Sequence, residues 1–418
     1  MTDASEITAQ ASASTPGRPS LVAPLRIRNF RLLWIGQNIS LIGDQFKFVA
    51  LSWLVLSLTG RSGALGTVLM LQAIPRSVLM LLGGVASDRL RPRTVMLLSD
   101  LFRAGVVGTI ALLAATGRIT MPAVYVLAFF FGIVHAFFYP ASAAMIPELV
   151  HPTLLRPANS VNQMTSQIVL TAAPAVAGVV IAAVGVAGGF AVDSSSFLIS
   201  ALFLLAIVPT PRPRTATAQS PWRDFVDGLA IVRRDRLLRT MIVMAAVFFF
   251  GYAGATYVGI PVMVKGPLRA GPEGLGILFS ASGLGALAGG IIGGTVTLRR
   301  RGLLGGSLIT VMGVLLAAVA FSRTLWQAAA LLMISTGIFA WVGITFLTLI
   351  QQHADRAYMG RVMAMVMFGI YGLYPVSYAL AGWMSDFLGV RTLFGFGGAI
   401  VLIAGVVGLV VREFRGLD

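Results

Sequence analysis

The sequence predicts an all-α membrane protein of twelve transmembrane helices, arranged as two pseudo-symmetric six-helix bundles. Of its 418 residues 57% are hydrophobic and only 11% are charged, whereas a soluble domain carries about 25% charged residues. Each apolar run is long enough for the ~20 residues that cross the hydrocarbon of a bilayer. The halves repeat, because Leu65 and Gly66 match Leu275 and Gly276, and Gly84 matches Gly294, all 210 positions apart. These observations together predict the fold class.

The twelve apolar runs are numbered as spans 1 to 12, and two tails and a linker surround them. The spans cover 31–58, 63–87, 93–115, 121–145, 160–185, 187–208, 239–262, 273–297, 303–321, 325–350, 361–385 and 391–411. Spans 1 to 6 form a first bundle and spans 7 to 12 a second, so the segments are 1–28, 29–208, 209–238, 239–411 and 412–418. The first tail is polar and lacks the apolar core of a signal peptide, so we expect a disordered tail.

The linker between the bundles is predicted to contain one amphipathic helix. Ser220 and Pro221 form a helix start, with serine as the cap and proline at the first helical position. The apolar residues that follow fall on one face. Such a helix either lies on the inner membrane surface or packs against the bundles, and the sequence leaves both alternatives open.

Arginine-rich loops predict the orientation of the chain. They follow spans 2, 6, 8, 10 and 12, and arginine close to a span end marks the cytoplasmic side. Both termini are therefore expected in the cytoplasm and the protein in the cell membrane. The net charge of +16 then reflects arginines in cytoplasmic loops, which contact anionic lipid headgroups. We therefore expect no nucleic-acid partner. The chain has no cysteine, phosphate-binding loop or metal-ligand motif, so we expect no enzyme activity, no cofactor and no metal.

The loop between spans 2 and 3 carries a family signature. Gly84-x-x-x-Asp88-Arg89-x-x-x-Arg93 resembles the corresponding loop of major facilitator transporters, although Arg91 and Pro92 depart from the family pattern. Because the second half has leucine where Asp88 stands, the acid is particular to the first half. The resemblance implies the major facilitator fold, in which two parallel six-span repeats rock about a central site.

Further stretches resemble one branch of these transporters. They are Asn29–Trp34 with Gln37 and Gly43-Asp44, Ala136–Ala141 with Pro147–Val150, and Ala158–Ser160. Together they resemble the drug exporters that include macrolide efflux pumps and the enterobactin exporter. In span 5, Pro174 and Gly178 resemble a motif associated with antiporters, with alanine at two positions where glycine is usual. The resemblance implies that the protein is an exporter, and the partial match to the span 5 motif implies that it is an antiporter.

Seven ionisable side chains are expected in the hydrocarbon, all in the first bundle. Each costs about 2.5–3.5 kcal/mol on insertion scales, so each needs a partner or a role. They are Asp44, Lys47, Arg76, Asp100, Arg103, His135 and Asp193. Gln37, Ser40, Asp44 and Lys47 are spaced three and four apart, which places them on one helical face toward the cavity.

The roles expected for these charges differ. Asp44 is either a carboxylate whose protonation is coupled to transport or a fixed salt bridge to Lys47 or Arg76. His135 is either a second proton site or a hydrogen-bonded core histidine. Asp100 and Arg103 have the spacing of a structural pair, and a structural role is also expected for Asp193.

Two further groups are predicted from the resemblance and from composition. The resemblance implies an inner gate built from Gly84, Asp88, Arg89, Arg93, Glu148 and Arg361. The second bundle is rich in aromatic residues, and Tyr371, Tyr374 and Tyr378 share one face of span 11. The cavity is therefore expected to be lined by Gln37, Ser40, Phe138, Tyr252, Trp341, Tyr371, Tyr374 and Tyr378.

The sequence leaves three functions open. The first is proton-coupled export of hydrophobic drugs such as macrolide-like compounds. The second is export of an endogenous metabolite or siderophore, and the third is a non-transporting membrane sensor. The expected partners are a small molecule, protons and membrane lipid, and we expect a monomer. If Asp44, Lys47 and Arg76 all face the cavity, its positive charge favours neutral or anionic cargo.

Overall fold

A computed structural model describes residues 20–89, 91–208, 221–296, 300–355 and 358–415, with backbone alone for 80–89 and 221–225. Every predicted span coincides with a helix. Their bounds are Arg28–Thr59, Ser62–Arg89, Pro92–Ala115, Met121–Leu149, Leu155–Ala206 (spans 5 and 6), Arg236–Lys265, Pro272–Thr295, Arg301–Phe321, Leu325–His353, Met359–Leu388 and Val390–Val410. Most of the first tail and residues 209–220 lie outside the described residues.

Three spans depart from a plain helix. Spans 5 and 6 run together without a loop and break only at Gly185, whose φ of 79° is readily adopted by glycine alone. Span 7 contains one π-helical turn, Ala255–Gly259. Span 11 consists of Met359–Tyr371 and Tyr374–Leu388. These breaks lie within helices that the sequence predicted as continuous.

The break in span 11 has a chemical cause. In an α-helix the Tyr371 carbonyl oxygen would accept the amide hydrogen of residue 375, but that residue is a proline and has none. The hydroxyl of Ser77, in span 2, donates to this carbonyl oxygen at 3.1 Å. A side chain of the first bundle therefore replaces a hydrogen bond that span 11 lacks.

The protein is a multi-pass membrane protein of the predicted all-α class. Among the described residues, ten helical segments are long and apolar enough to cross a membrane. One of them, Pro152–Ala206, contains both span 5 and span 6. We call the end where span 1 begins and span 12 ends the arginine-rich end, and the opposite end the far end.

Glycines set the approach of helices within each bundle. Span 1 lies on span 6 at Gly43, where an added Cβ would stand 2.6 Å from the Asp193 carboxylate. Gly285, Gly289 and Gly293 of span 8, which are spaced four apart, lie against span 10. Small residues allow this proximity, and van der Waals packing then holds the helices together in lipid.

The two bundles meet closely toward the far end. Gly178 of span 5 faces the start of span 8, so that an added Cβ would lie 2.6 Å from the Pro272 carbonyl oxygen. Gly382 of span 11 faces the start of span 2, where the corresponding distance to the Ser62 carbonyl oxygen is 2.8 Å. Two helix pairs, 5 with 8 and 2 with 11, thus join the bundles.

A carboxylate reinforces the second of these contacts. Asp386, at the end of span 11, accepts hydrogen bonds from the amide of Ser62 at 2.6 Å and from that of Gly63 at 3.0 Å. These amides begin span 2 and have no helical acceptor, and a carboxylate there is also favoured by the helix dipole. We call Asp386 with these two amides the far-end clamp.

The linker helix, Pro221–Arg234, packs against the second bundle. An added Cβ at Gly228 would lie 3.0 Å from the Arg361 carbonyl oxygen, and Val232 is buried. Asp235 caps the start of span 7 through the Leu238 amide at 3.0 Å and contacts the His353 ring at 2.9 Å. Of the two alternatives, the structure shows packing on the bundle, while Val226 and Leu229 remain exposed.

The contact between Asp235 and His353 is expected to depend on pH. Burial raises the pKa of the Asp235 carboxyl, but hydrogen bonds from the Leu238 amide and His353 more than offset this, so the pKa lies below its usual value. The stabilisation is therefore present above the unfolded pKa of about 3.9 and is lost as pH falls through the lower folded value. We expect the start of span 7 to separate from the end of span 10 below about pH 4.

Distances between spin labels at the start of span 7 and the end of span 10 would measure this separation. Asp235→Asn removes the charge and keeps a capping side chain, so its label distance should not change between pH 7 and pH 3. A wild-type distance that is the same at both pH values would contradict the prediction.

Candidate functional site

Asp44 and Lys47 form an ion pair near the middle of span 1. The Lys47 Nζ lies 2.6 Å from Asp44 Oδ1, and the Asp44 side chain is 20% exposed. The three-residue spacing on one helix places these groups on the same face. The structure thus contains the Asp44–Lys47 salt bridge that the sequence offered as one alternative. The Asp44 carboxylate is nevertheless partly exposed.

Aromatic rings surround the lysine of this pair. Lys47 Nζ lies 3.5 Å from the centre of the Phe131 ring in span 4, a cation–π contact. The His135 ring stacks on Phe131 with centroids 6.0 Å apart, and its buried Nδ1 has no hydrogen-bond partner among the described residues. The second candidate proton site therefore lies next to the first, with Phe131 in contact with both.

Asp100 and Arg103 form a second pair, on span 3. Their side chains are in contact and are 0% and 1% exposed. The guanidinium lies 4.0 Å from the ring centre of Phe138 and 4.3 Å from that of Phe197. This pair is buried inside the first bundle, as a structural pair would be. Phe138, a predicted cavity residue, is in contact with it.

Asp193 lies between span 6 and span 1. Its side chain is 0% exposed, and neither carboxylate oxygen has a hydrogen-bond partner among the described residues. The Ser196 hydroxyl donates to the Asp193 main-chain carbonyl oxygen at 2.7 Å. The carboxylate interacts electrostatically with Lys47, Asp44 and Arg103. Six of the seven predicted membrane charges thus interact within the first bundle, and we call these six the charge network: Asp44, Lys47, Asp100, Arg103, His135 and Asp193. The seventh, Arg76, interacts with His135 but lies against Tyr371 of the second bundle.

The second bundle presents an aromatic cluster opposite this network. Its rings stack or meet edge to face with centroids 5.2–6.3 Å apart. The members are Phe248, Phe249, Tyr252, Tyr257, Phe339, Tyr371, Tyr374 and Tyr378. The π-helical turn of span 7 carries Tyr257, and its ring meets Phe48 of span 1 at 5.8 Å. The guanidinium of Arg76 lies 5.3 Å from the Tyr371 ring.

The predicted cavity residues divide by exposure. Ser40, Tyr252 and Tyr378 are buried, so they do not line open space in this conformation. The others are partly exposed: Gln37, Phe138, Trp341, Tyr371 and Tyr374. Gln37 donates to the Ser142 hydroxyl at 2.6 Å, a contact within the first bundle. The lining of the cavity by these partly exposed residues stays a prediction.

The inner gate stays a prediction, because the side chains of Gly84, Asp88 and Arg89 lie outside the described residues. Arg93 donates to the carbonyl oxygens of Leu204 and Leu205 at 2.7 and 2.9 Å, which ties span 3 to the end of span 6. Arg361 lies 3.5 Å from Asp227 of the linker helix, and Glu148 ends span 4. Pro174 and Gly178 lie at the contact with span 8.

Sequence reasoning missed three features of the site. Asp386 lies one residue beyond the predicted end of span 11 and was not among the predicted site residues. The sequence does contain a signal for it, because this acidic residue follows span 11 at the far end, where span 2 begins with unpaired amides. Phe131 and Phe339 carry no polar group, so no pattern distinguished them from packing residues. Among the described residues no group of three or more His, Cys, Asp or Glu side chains is placed to hold a metal ion.

Comparison with known proteins decides the family. A family profile described as transmembrane secretion effector matches residues 19–415. The chain belongs to this family of major facilitator transporters. The family's transporters are not enzymes, and the expected efflux branch is confirmed by the relatives.

Two curated relatives and one solved structure agree with this family. The chain is 28% identical to the multidrug efflux pump Tap of Mycolicibacterium fortuitum, over 90% of this chain and 94% of that protein. It is 23% identical to macrolide efflux protein A of Streptococcus pyogenes, over 93% and 97%. A bacterial homologue of the iron transporter ferroportin, solved in an inward-facing state, superposes with a TM-score of 0.73 at 15% identity, over 93% and 99%. This likeness confirms the major facilitator fold.

Proposed function

We propose that this membrane transporter of the efflux type exports small amphipathic molecules by alternating access, in exchange for protons. The observation that carries the proposal is the Asp44–Lys47 pair, whose carboxylate is partly exposed between a charged first bundle and an aromatic second bundle. Relatives named for multidrug and macrolide efflux support the same class of cargo. The names of these efflux relatives also support an outward direction of transport.

The pair supplies a chemistry for coupling. While Asp44 is ionised, Lys47 has a partner in its apolar surroundings. When a proton binds a carboxylate oxygen of Asp44, the ion pair is lost and the lysine is left with an uncompensated charge, which costs several kcal/mol in a buried site. A conformational change that offers Lys47 another partner then becomes favourable. Release of the proton restores the pair.

The cargo follows from the groups around the cavity. Arg76 adds a positive charge beside Tyr371, so Asp44, Lys47 and Arg76 together carry one net positive charge. Aromatic rings offer flat apolar contact, and their hydroxyl groups offer hydrogen bonds. A neutral or anionic amphipathic molecule fits these surroundings better than a cation.

Inverted membrane vesicles with an imposed pH gradient test the proposal, with a macrolide antibiotic and an uncharged amphipathic antibiotic as the probes. We expect wild-type vesicles to accumulate both while the gradient lasts, the uncharged probe more than the macrolide with its cationic amine, and Asp44→Asn vesicles to fall to the level of vesicles without the protein. Glu413→Gln, an exposed acid paired with Arg236 at the arginine-rich end, is the matched control and should retain transport.

The outcomes separate the functions. Gradient-driven uptake that is unchanged in Asp44→Asn would remove this residue from coupling. The absence of gradient-dependent uptake for a panel of neutral and anionic probes would contradict export and favour a membrane sensor.

A further inference from the structure

We propose that Asp193 is a second proton-binding site: it is a neutral carboxylic acid in this conformation and loses its proton when Lys47 leaves Asp44 to pair with it. The neutral state is argued from the geometry of spans 1 and 6 alone. The exchange step rests on the proposed proton antiport, because it gives Lys47 the alternative partner which that mechanism needs.

The first step is the isolation of the Asp193 carboxyl group. It is 0% exposed, and among the described residues no donor reaches either of its oxygens. An ionised carboxylate without a hydrogen bond or counter-ion in an apolar interior costs far more free energy than its protonated form. The protonated carboxyl is therefore the form that fits this site.

The second step is a balance of charge around it. Lys47 on span 1 is paired with Asp44 at 2.6 Å, and Arg103 on span 3 is paired with Asp100. These two cations and two carboxylates neutralise one another. Lys47 and Arg103 are the two cations that act on Asp193, and each is already paired with another carboxylate. The remaining cation, Arg76 on span 2, acts on His135 and lies against Tyr371 of the second bundle, not against Asp193.

The third step is the position of Lys47. Gly43 and Lys47 are four residues apart and share one face of span 1. The Asp193 carboxylate lies against Gly43, since an added Cβ there would be 2.6 Å from its Oδ1. Lys47 is one helical turn away and is the cation with which Asp193 interacts most strongly. The lysine is thus placed between two carboxyl groups of spans 1 and 6.

The exchange conserves charge and protons. A proton from water binds Asp44, which is 20% exposed, and its carboxylate becomes a carboxylic acid. The Lys47 ammonium then turns to Asp193, whose O–H bond breaks, and the proton passes to water in a conformation that opens this carboxyl group to solvent. One proton is taken up and one is released, so the network is neutral before and after the exchange and carries one positive charge in between.

Infrared spectroscopy of the purified protein in lipid tests this without transport. At neutral pH the wild type should show the carbonyl stretch of a protonated carboxylic acid, and Asp193→Asn should lack it. In Asp44→Asn the lysine is free to pair with Asp193, so the band should disappear. In the double variant Asp44→Asn/Lys47→Met the lysine is gone and the band should return.

Ser196→Ala is the matched variant that leaves every titratable group in place. The Ser196 hydroxyl donates to the Asp193 main-chain carbonyl oxygen, so its removal changes the surroundings of the carboxyl group and should shift the frequency of the band. It also covers the case in which Asp193→Asn does not fold. A wild-type protein without the band, or a band unchanged in Asp193→Asn, would overturn the proton site, and a band that persists in Asp44→Asn would overturn the exchange. If vesicle uptake fails while these spectra are as expected, the proposed export is wrong and the proton site stands.

Discussion

Replacing Arg103 with methionine is expected to lower the free energy of unfolding by about 3–5 kcal/mol. The substitution leaves Asp100, which is 0% exposed, without its counter-charge. It also removes the cation–π contacts with Phe138 and Phe197, whereas methionine keeps much of the volume. Thermal unfolding of the purified protein in one detergent would measure the loss as a lower midpoint.

The pair offers its own control. The double variant Asp100→Leu/Arg103→Met removes both charges, and an apolar replacement of a buried ion pair is often neutral or stabilising. It should recover most of the lost stability. Arg61→Met, at an arginine that is 73% exposed and 3.7 Å from Asp386, should change stability by less than about 1 kcal/mol. Equal losses for Arg103→Met and Arg61→Met would show that burial of the pair is not the cause.

Gly276→Val is expected to reduce transport at least about fivefold while leaving the fold intact. Gly276 of span 8 lies against the main chain of span 5, where an added Cβ would meet the Pro174 carbonyl oxygen and lie 3.1 Å from the Ala175 Cα. Overpacking of this kind costs about 1–3 kcal/mol, a factor of about 5–150 in a two-state equilibrium. The conformation in which the bundles meet at the far end should lose population accordingly.

The same helix supplies the matched control. Gly290 has no atom within 4 Å of an added Cβ, so Gly290→Val should transport as the wild type does. Macrolide uptake into inverted vesicles and cross-linking of cysteine pairs at the far end would measure the two effects. Normal uptake by Gly276→Val would mean that this contact does not take part in the transport cycle.

The sequence was sufficient for the fold because its signals are long and repeated. Each span needs about 20 apolar residues, and the matched positions of the two halves fixed the number of repeats. The linker helix was predicted from Ser220 and Pro221, and the helix begins at Pro221. Its packing partner could not be predicted, since Gly228 contacts a residue more than a hundred positions away.

The residue types of the site and the pairs within one helix were predicted, but the contacts between helices were not. The spacing on one helix indicated the Asp44–Lys47 and Asp100–Arg103 pairs, because neighbours three apart on a helix meet. Asp193 was expected to have a separate structural role, since the periodicity of span 6 does not reveal what lies across from it. Its place against Gly43 depends on how two helices cross, which no single-helix pattern contains.

The junction at Gly185 has a mechanical consequence. Spans 5 and 6 share one backbone turn with no loop between them, so there is no slack by which one could slide without the other. Span 5 lies on the second bundle at Gly178, whereas span 6 holds Asp193 against span 1. If the bundles move against each other in the proposed transport cycle, a displacement of span 5 would therefore be transmitted through Gly185 to span 6. The turn at Gly185 is also the shortest covalent route from the contact between the bundles to the proposed proton site.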